Sequence, residues 1–464
     1  MHPAFESLFA QPTERIRKSV EDLQKSYPSL QFDTERDDLD KSEAPFIREM
    51  LKDFVDYLNG AKRSFEWGSD ENQRISSHPV YQHEAYKTDS FESLPTLNRA
   101  TLRTYREPFN YEVTEGMTVY ADQTSGTSGA PLSVYYSQKF MAQYLHLNMI
   151  KVALLAGFTS LGRRPVFSLR VTDNKAYQGG IVVSDPMELV GLSLIWHLDV
   201  NDSASFDRFT RMLADLDPEV LVAKPNLYRI LLERWKQHET TPPSRPVFTV
   251  SGGAMLPDDL RGDVSTFFGC RMVSAYAISE AGYLGSECEE LSIHLDESAH
   301  DRFECVPLEG GADGDPAAGE LAVTSTLNDC MPLVRYRVGD VVDFARDICA
   351  CGLSGPFLRK LQGRTTIVFD LGDGHMLSPT RYMDIFKEIP ELAEYQLTQT
   401  RRRAFHIAIE LREGLNREEH KQSALRVRDA ISTGMPVDVE LSWEERSFDS
   451  EGAKFARFRS EVVA

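Results

Sequence analysis

Thr124-Ser-Gly-Thr-Ser-Gly-Ala-Pro131 decides how this sequence is read. It follows Val119-Tyr120 and precedes Leu132-Ser-Val-Tyr-Tyr136, two β-prone runs. Gly126 and Gly129 let the backbone turn so that several N–H groups face one concavity. Ser125, Thr127 and Ser128 add hydroxyl donors, and the set suits a polyphosphate. It is not a Walker loop, because no Gly-Lys-Ser/Thr follows. Taken alone, the same residues also read as a flexible Ser/Gly hairpin loop.

Outward from the loop, residues 115 to 350 alternate β-rich runs with helical patterns, which points to an α/β body. Val166–Val171 and Val247–Val250 read as strands, and Pro225–Trp235 as a helix with proline in its first turn. Upstream, residues 1–100 read as a polar, helical lead-in. Within it Ile47, Met50, Leu51, Phe54, Val55 and Leu58 fall on one helical face. Downstream, Phe405, Ile407, Ile409 and Leu411 alternate as in a half-buried strand, and so do Val437, Val439 and Leu441. Asn416 with Glu419 three residues on makes a helix start. These last elements read as a small α+β unit of residues 365–464, bounded near Gly363-Arg364.

The 464 residues suggest about three structural units. With 41% hydrophobic and 26% charged residues the composition is that of an ordinary globular chain, too apolar for disorder. A net charge of −20 repels phosphate backbones and argues against a nucleic-acid partner. Apolar runs such as Val152–Phe158 fall far short of the roughly 20 residues of a membrane helix, so no membrane partner is expected. The opening residues lack the apolar core of an export signal, so a cytoplasmic chain is expected. A homodimer is left open. The six cysteines suit burial or metal better than a disulfide scaffold.

In chain order, the motifs resemble those of the adenylate-forming (AMP-forming acyl/aryl ligase) superfamily, in its phenylacetate–CoA ligase-like branch. Thr124–Pro131 resembles the family's phosphate loop, and Leu94-Pro-Thr-Leu-Asn-Arg-Ala-Thr-Leu102 the lead-in before it. Ser251-Gly-Gly-Ala-Met-Leu256 resembles the S-G-G segment, Tyr276-Ala-Ile-Ser-Glu280 the Y-G-x-T/S-E motif, and Tyr336-Arg-Val-Gly-Asp340 Y-R-T-G-D. Gly363-Arg364 matches the G-R before the C-terminal domain, and Gly452-Ala-Lys-Phe-Ala-Arg457 the terminal G-K-x-x-R. The matches run in family order from about residue 94 to 459.

The resemblance implies a large α/β body of β-sheets and helices, residues 1–364, and a small mobile α+β C-terminal domain, residues 365–464. It also implies site roles. Thr124, Ser125, Gly126, Thr127, Ser128 and Gly129 would hold the β/γ-phosphates of ATP. Glu280 would coordinate Mg²⁺, a hard ion suited to carboxylate oxygen, and Ser279 would bond near the α-phosphate. Tyr276 would stack on adenine, with Gly252, Gly253 and Ala254 lying bare against the nucleotide. Asp340 would accept the ribose hydroxyls and Arg364 would reach ribose or phosphate. Lys454 would bring its ammonium to the reacting phosphate. Read without the motifs, Tyr276 is a core aromatic, Asp340 a turn residue and Lys454 part of a basic tail. Three positions depart from the family: Ala130 replaces lysine, Ala277 glycine, and Thr365-Thr366 an acidic hinge.

Cys288, His294, Cys349 and Cys351 make a Cys₃His set suited to tetrahedral Zn²⁺, closed and therefore structural. Similar elements occur in the branch. Spacing alone equally allows buried thiols and a surface histidine. Cys270, Cys305 and Cys330 read as packing residues.

The resemblance implies adenylation of a small carboxylic acid by ATP and acyl transfer to a thiol, with coenzyme A the expected acceptor. Other acceptors are an amine, a carrier-protein thiol, or one that takes AMP itself as in coenzyme F390 synthetase-like proteins. Loss of activity on the same fold is disfavoured by Glu280, Asp340 and Lys454 together. Tyr136, Trp196 and His197 are candidates for the acid pocket and would suit an aromatic acid; each also reads as core packing.

Overall fold

The structure is a computed structural model. It describes residues 25, 31–32, 49–60 except 51, 81, 86, 88, 90–104, 119–123, 132–137, 140, 148–158, 164, 166–172, 180–182, 192–199, 202–238, 241–307, 318–364 except 329, 369–370, 376–377, 392–411, parts of 418–429, 440–445 and 458–461.

In chain order the first strands are β1 (Gln31–Phe32), β2 (Val119–Gln123), β3 (Ser133–Ser137), β4 (Val166–Thr172), β5 (Gly180–Val182), β6 (Leu192–His197), β7 (Val220–Ala223), β8 (Phe248–Gly252) and β9 (Arg271–Ile278). The helices are α1 (Arg99–Thr104), α2 (Asn148–Leu155), α3 (Ser203–Leu216), α4 (Pro225–His238) and α5 (Asp258–Phe268). Strands β6, β4, β7, β8 and β9 lie side by side in parallel. Val220-Leu-Val-Ala223 is buried throughout, as a parallel strand covered on both faces must be. One cover is α3, α4 and α5, whose core centres on Trp235. Its ring packs against Phe206, Phe209, Phe267 and Phe268, and its Nε1 donates to Thr210 Oγ1 at 2.9 Å. The other cover is α2, where Val152 and Ala153 meet Val220, Val222 and Val250.

The helices start and stop where the sequence dictates. Asp202 caps α3 by accepting from the backbone N–H of Ala204 and Ser205. Phe206, Phe209, Met212, Leu213 and Leu216 then recur on its buried face. Pro225 opens α4, whose missing N–H costs nothing there. Gly269 ends α5 in the left-handed conformation.

The expected α/β alternation stops at Phe268. Beyond it, to residue 364, the described residues form strands and turns: β10 (Gly282–Glu287), β11 (Ile293–Leu295), β12 (Arg302–Val306), β13 (Ala318–Ser325), β14 (Leu333–Ile348) and β15 (Ser354–Arg364). They continue the same sheet antiparallel, in the order β9-β10-β11-β15-β14-β13-β12. Gly285 is obligatory in this stack, since a Cβ there would lie 2.0 Å from the carbonyl oxygen of His294.

The lead-in is not wholly helical. β1 pairs in parallel with β5 and covers an otherwise open sheet edge. Residues 52–58 are helical and bury Phe54, Val55 and Tyr57, with Met50 buried just before them; Ile47 and Leu51 lie outside the described residues.

Short strands β16 (Phe369–Asp370) and β17 (Met376–Leu377) form a pair. A separate four-stranded sheet follows, from β18 (Leu392–Arg401), β19 (Ala404–Leu411), β20 (Glu440–Glu445) and β21 (Phe458–Ser460), ordered β20-β19-β18-β21. Phe405, Ile407 and Ile409 are buried as their alternation requires. Residues 418, 419, 421, 422, 425, 426 and 429 are helical; Asn416, Val437 and Val439 lie outside the described residues.

Candidate active site

Open α/β sheets bind ligands beyond the carboxyl ends of their parallel strands. Here those ends carry His197 on β6, Lys224 after β7, Gly252 on β8 and Ile278 on β9. Gly253 and Ala254, just past β8, are exposed and present backbone without bulk. Gly253 adopts a φ of +78°, open to it because it has no Cβ. The stem of Lys224 lies across it, 3.9 Å from where a Cβ would stand.

Ser279 and Glu280 occupy the turn between β9 and β10. Gly282 closes this turn at a φ of +73°, with the Phe140 ring 2.7 Å from its absent Cβ. Tyr276, on β9, donates its hydroxyl to Asp340 Oδ2 on β14 at 2.6 Å, and both are buried. Two residues read separately as adenine and ribose contacts are thus one hydrogen-bonded unit. Glu280 is also buried; its Oε1 accepts from Tyr336 at 3.1 Å and lies 3.8 Å from the Arg99 guanidinium. Asp340 stands opposite Arg364 in the β14–β15 register.

The expected phosphate loop, Thr124 to Gly129, lies outside the described residues, as do Lys454, Thr365, Thr366 and the side chain of Arg364. The strands flanking the loop are described. β2 and β3 pair antiparallel with Gln123 opposite Ser133, so the loop joins the two strands of a hairpin. β3 is moored beside the Glu280 turn. Tyr136 donates to the carbonyl of Ser279 at 3.0 Å, and Asn328 bridges the N–H of Ser137 and the carbonyl of Tyr135.

Of the three acid-pocket candidates, Tyr136 stacks on Phe140 at 5.0 Å within the core that holds Tyr276 and Ile278. Trp196 packs instead against the α3–α5 core. Its Nε1 is buried and has no partner among the described residues. His197 follows it at the end of β6. Sequence reasoning missed Arg99, Lys224 and Tyr336. The first lay in a quoted motif without a role, and the last opens the Tyr-Arg-Val-Gly-Asp motif.

The cysteine–histidine set does assemble. The ligand atoms of Cys288, His294, Cys349 and Cys351 all lie within 4.8 Å of one another. Cys288 Sγ is 3.9 Å from Cys349 Sγ, and Cys351 Sγ is 3.3 Å from His294 Nε2. Ligands at about 2.3 Å around a tetrahedral ion stand about 3.8 Å apart, so the set fits Zn²⁺. Two tight turns aim the thiols: Leu291 N–H bonds the Cys288 carbonyl, and Gly352 N–H that of Cys349. Burial lowers the His294 pKa to about 4, keeping the imidazole neutral and able to ligate. Burial pushes the Cys288 thiol up and that of Cys351 to about 12. Burial opposes ionisation of Cys349 too, but the backbone N–H of Cys351 and neighbouring donors bring its pKa down. A bound dication would supply the missing counter-charge for all three thiolates. Cys270, by contrast, is a packing thiol raised by burial to about 11.

No family model matches the chain. A curated relative, the phenylacetate-coenzyme A ligase of Thermus thermophilus, is 24% identical over 362 residues, which covers 72% of this chain and 79% of the relative. The chain is similar in sequence to this phenylacetate–CoA ligase over most of both lengths. Among solved structures, 2-hydroxyisobutyryl-CoA ligase in its postadenylation state with R3-HIB-AMP shares the fold of this chain. It superposes with a TM-score of 0.62 at 14% identity over 84% of this chain and 87% of that one. An open conformation of the same ligase with 2-HIB-AMP and CoA gives a TM-score of 0.52 at 14% identity, over 83% and 88%.

Proposed function

We propose that this protein is an ATP-dependent, AMP-forming ligase that activates a carboxylic acid as acyl-AMP and passes the acyl group to coenzyme A. The observation that carries the reading is the buried Tyr276–Asp340 hydrogen bond, with Glu280 held by Tyr336 in the turn that follows β9, at the carboxyl edge of the parallel strands. Relatives that are acyl-CoA ligases support it.

In the first step an acid carboxylate oxygen attacks the α-phosphorus, the α–β phosphoanhydride breaks, and pyrophosphate leaves. In the second a thiolate attacks the acyl carbonyl and AMP leaves. Two anions meet in the first step, so neutralisation and positioning dominate. Asp340 orients the ribose with Tyr276 holding its carboxylate, and Gly252 to Ala254 admit the nucleotide against bare backbone. The loop from Thr124 to Gly129 holds the outer phosphates, and Ser279 bonds near the α-phosphate. Glu280 would hold Mg²⁺, which spreads the phosphate charge. Arg364 adds a contact to ribose or phosphate. Lys454, on a small domain of residues 365–464 that closes over the body, neutralises the transition state. Cys288, His294, Cys349 and Cys351 would hold one structural Zn²⁺.

An aromatic acid is favoured by the Tyr136 ring anchored at the Ser279 turn, with His197 at the carboxyl end of β6. Acid-dependent ATP–pyrophosphate exchange across aryl and alkyl acids tests the reading, followed by thioester formation with coenzyme A. Release of ADP and orthophosphate would overturn it. Best exchange with short alkyl acids would overturn the aromatic assignment alone.

A further inference from the structure

Building on the adenylation reading above, we propose that Arg99 is the resident counter-ion of Glu280, a positioning residue that surrenders the carboxylate to a divalent cation when nucleotide enters. Glu280 is a buried carboxylate at the edge of a site meant for a polyanion. Left alone it would be costly to bury and would repel ATP. Arg99 stands 3.8 Å from its Oε1, with side-chain exposures of 20% for the arginine and 7% for the glutamate. Tyr336 donates to the same oxygen at 3.1 Å and fixes where the carboxylate points. The pair is long for a salt bridge, so the carboxylate is neutralised without being locked.

The fold builds this placement. Leu97 joins β14 by a bridge to Tyr336, with its N–H on the Arg335 carbonyl at 3.1 Å and its carbonyl accepting the Arg337 N–H at 2.7 Å. The Arg335 guanidinium donates to the carbonyls of Glu92 at 2.9 Å and Leu94 at 2.6 Å, and it lies over the Phe91 ring. Arg335 does so from a φ of +49°, a left-handed conformation that costs about 1 kcal/mol in a non-glycine residue. Asn98 then starts α1 by accepting from the N–H of Thr101 at 2.9 Å. Strained backbone, a bridge and a cap thus deliver one guanidinium to one buried carboxylate. An arginine suits the post because it stays charged at any working pH.

The exchange predicts a specific metal dependence. Without metal, Arg99 masks Glu280 and lets ATP bind; with metal, the cation takes over the carboxylate. Calorimetric titration of the full chain with ATP, in Mg²⁺-free buffer and in Mg²⁺, reads this directly. Arg99→Gln should weaken metal-free ATP binding roughly tenfold or more, yet leave binding in Mg²⁺ within about twofold of native. Arg99→Lys should restore the metal-free affinity, and Glu280→Gln should abolish the effect of Arg99→Gln in Mg²⁺-free buffer. Should Arg99→Gln fail to fold, Arg99→Met carries the same test with an uncharged stem. Equal losses with and without Mg²⁺ would show that Arg99 binds phosphate or supports the fold. No loss in either condition, or failure of Arg99→Lys to rescue, would equally overturn the exchange. A native chain that binds no ATP at all would overturn the ligase reading itself.

Discussion

Strands β10 and β14 each run from one chemistry to another. β10 starts beside Glu280 and ends beside Cys288; β14 carries Tyr336 and Asp340 in its first half and ends beside Cys349. At one end are oxygen ligands, hydroxyl donors and bare backbone, at the other three thiols and an imidazole, with about 25 Å of extended chain between them. The first set combines buried oxygen groups with exposed backbone at Gly253 and Ala254; the second brings four ligand atoms within 4.8 Å of one another, enough for a tetrahedral ion. The difference teaches that one rigid sheet can separate turnover from fixation. Under the proposed function, the cluster would fix the turns at one end of these strands, apart from the residues assigned to the nucleotide at the other.

Damage at the two ends should therefore be separable. The largest effect is expected from Lys454→Ala, because the proposed function gives this lysine the neutralisation of transition-state charge. Acid-dependent pyrophosphate exchange should fall roughly 100-fold or more. Thioester formation from pre-formed acyl-AMP should survive, and equal loss in both steps would reject the small-domain assignment. At the far end, Cys349→Ser should abolish about one equivalent of bound zinc and lower stability by about 3 kcal/mol. Exchange per folded molecule should stay near native. Elemental analysis with a thermal melt checks this, and zinc-free native protein of full stability would reject the cluster. Glu280→Gln should do the reverse, keeping zinc and melting temperature while cutting exchange about tenfold at limiting Mg²⁺. If it also lost zinc, the two ends would not be independent.

Periodicity made much of the parallel half legible. Val166–Val171 and Val247–Val250, read as strands, fall on β4 and β8, and Pro225–Trp235, read as a helix, falls on α4. The antiparallel half hid itself. Gly282–Glu287 is buried on both faces and so shows no alternation, and Gly285 belongs there only because His294 passes so close. The cysteine set was named from the sequence as one Cys₃His group, and the register that brings β11 to the β14–β15 turn is what assembles it. Arg99 was hidden. A basic residue early in a short helix reads as solvated until β14 brings Tyr336 beside Leu97. Tyr276 and Asp340 were each legible by motif, but their hydrogen bond was not.

That bond supports the smallest prediction. Tyr276→Phe keeps the ring and its place in the core but removes the donor that holds Asp340 Oδ2 at 2.6 Å. A buried carboxylate that loses one neutral donor forfeits about 1 to 2 kcal/mol, part of it as stability and part as misplacement of its oxygens. If Asp340 receives the ribose hydroxyls, the functional share appears as a KM for ATP raised about three- to tenfold, with kcat for exchange nearly unchanged, because the ribose is bound alike in ground and transition states. The adenosine part of the ligand then decides between the two roles read for Tyr276. If the ring stacks on adenine, Tyr276→Leu should raise the KM further than Tyr276→Phe, since the plane is lost as well as the hydroxyl. If the tyrosine only props Asp340, Phe and Leu should raise it equally. A KM unchanged in both variants would remove Tyr276 and Asp340 from the nucleotide site and leave their hydrogen bond as part of the core.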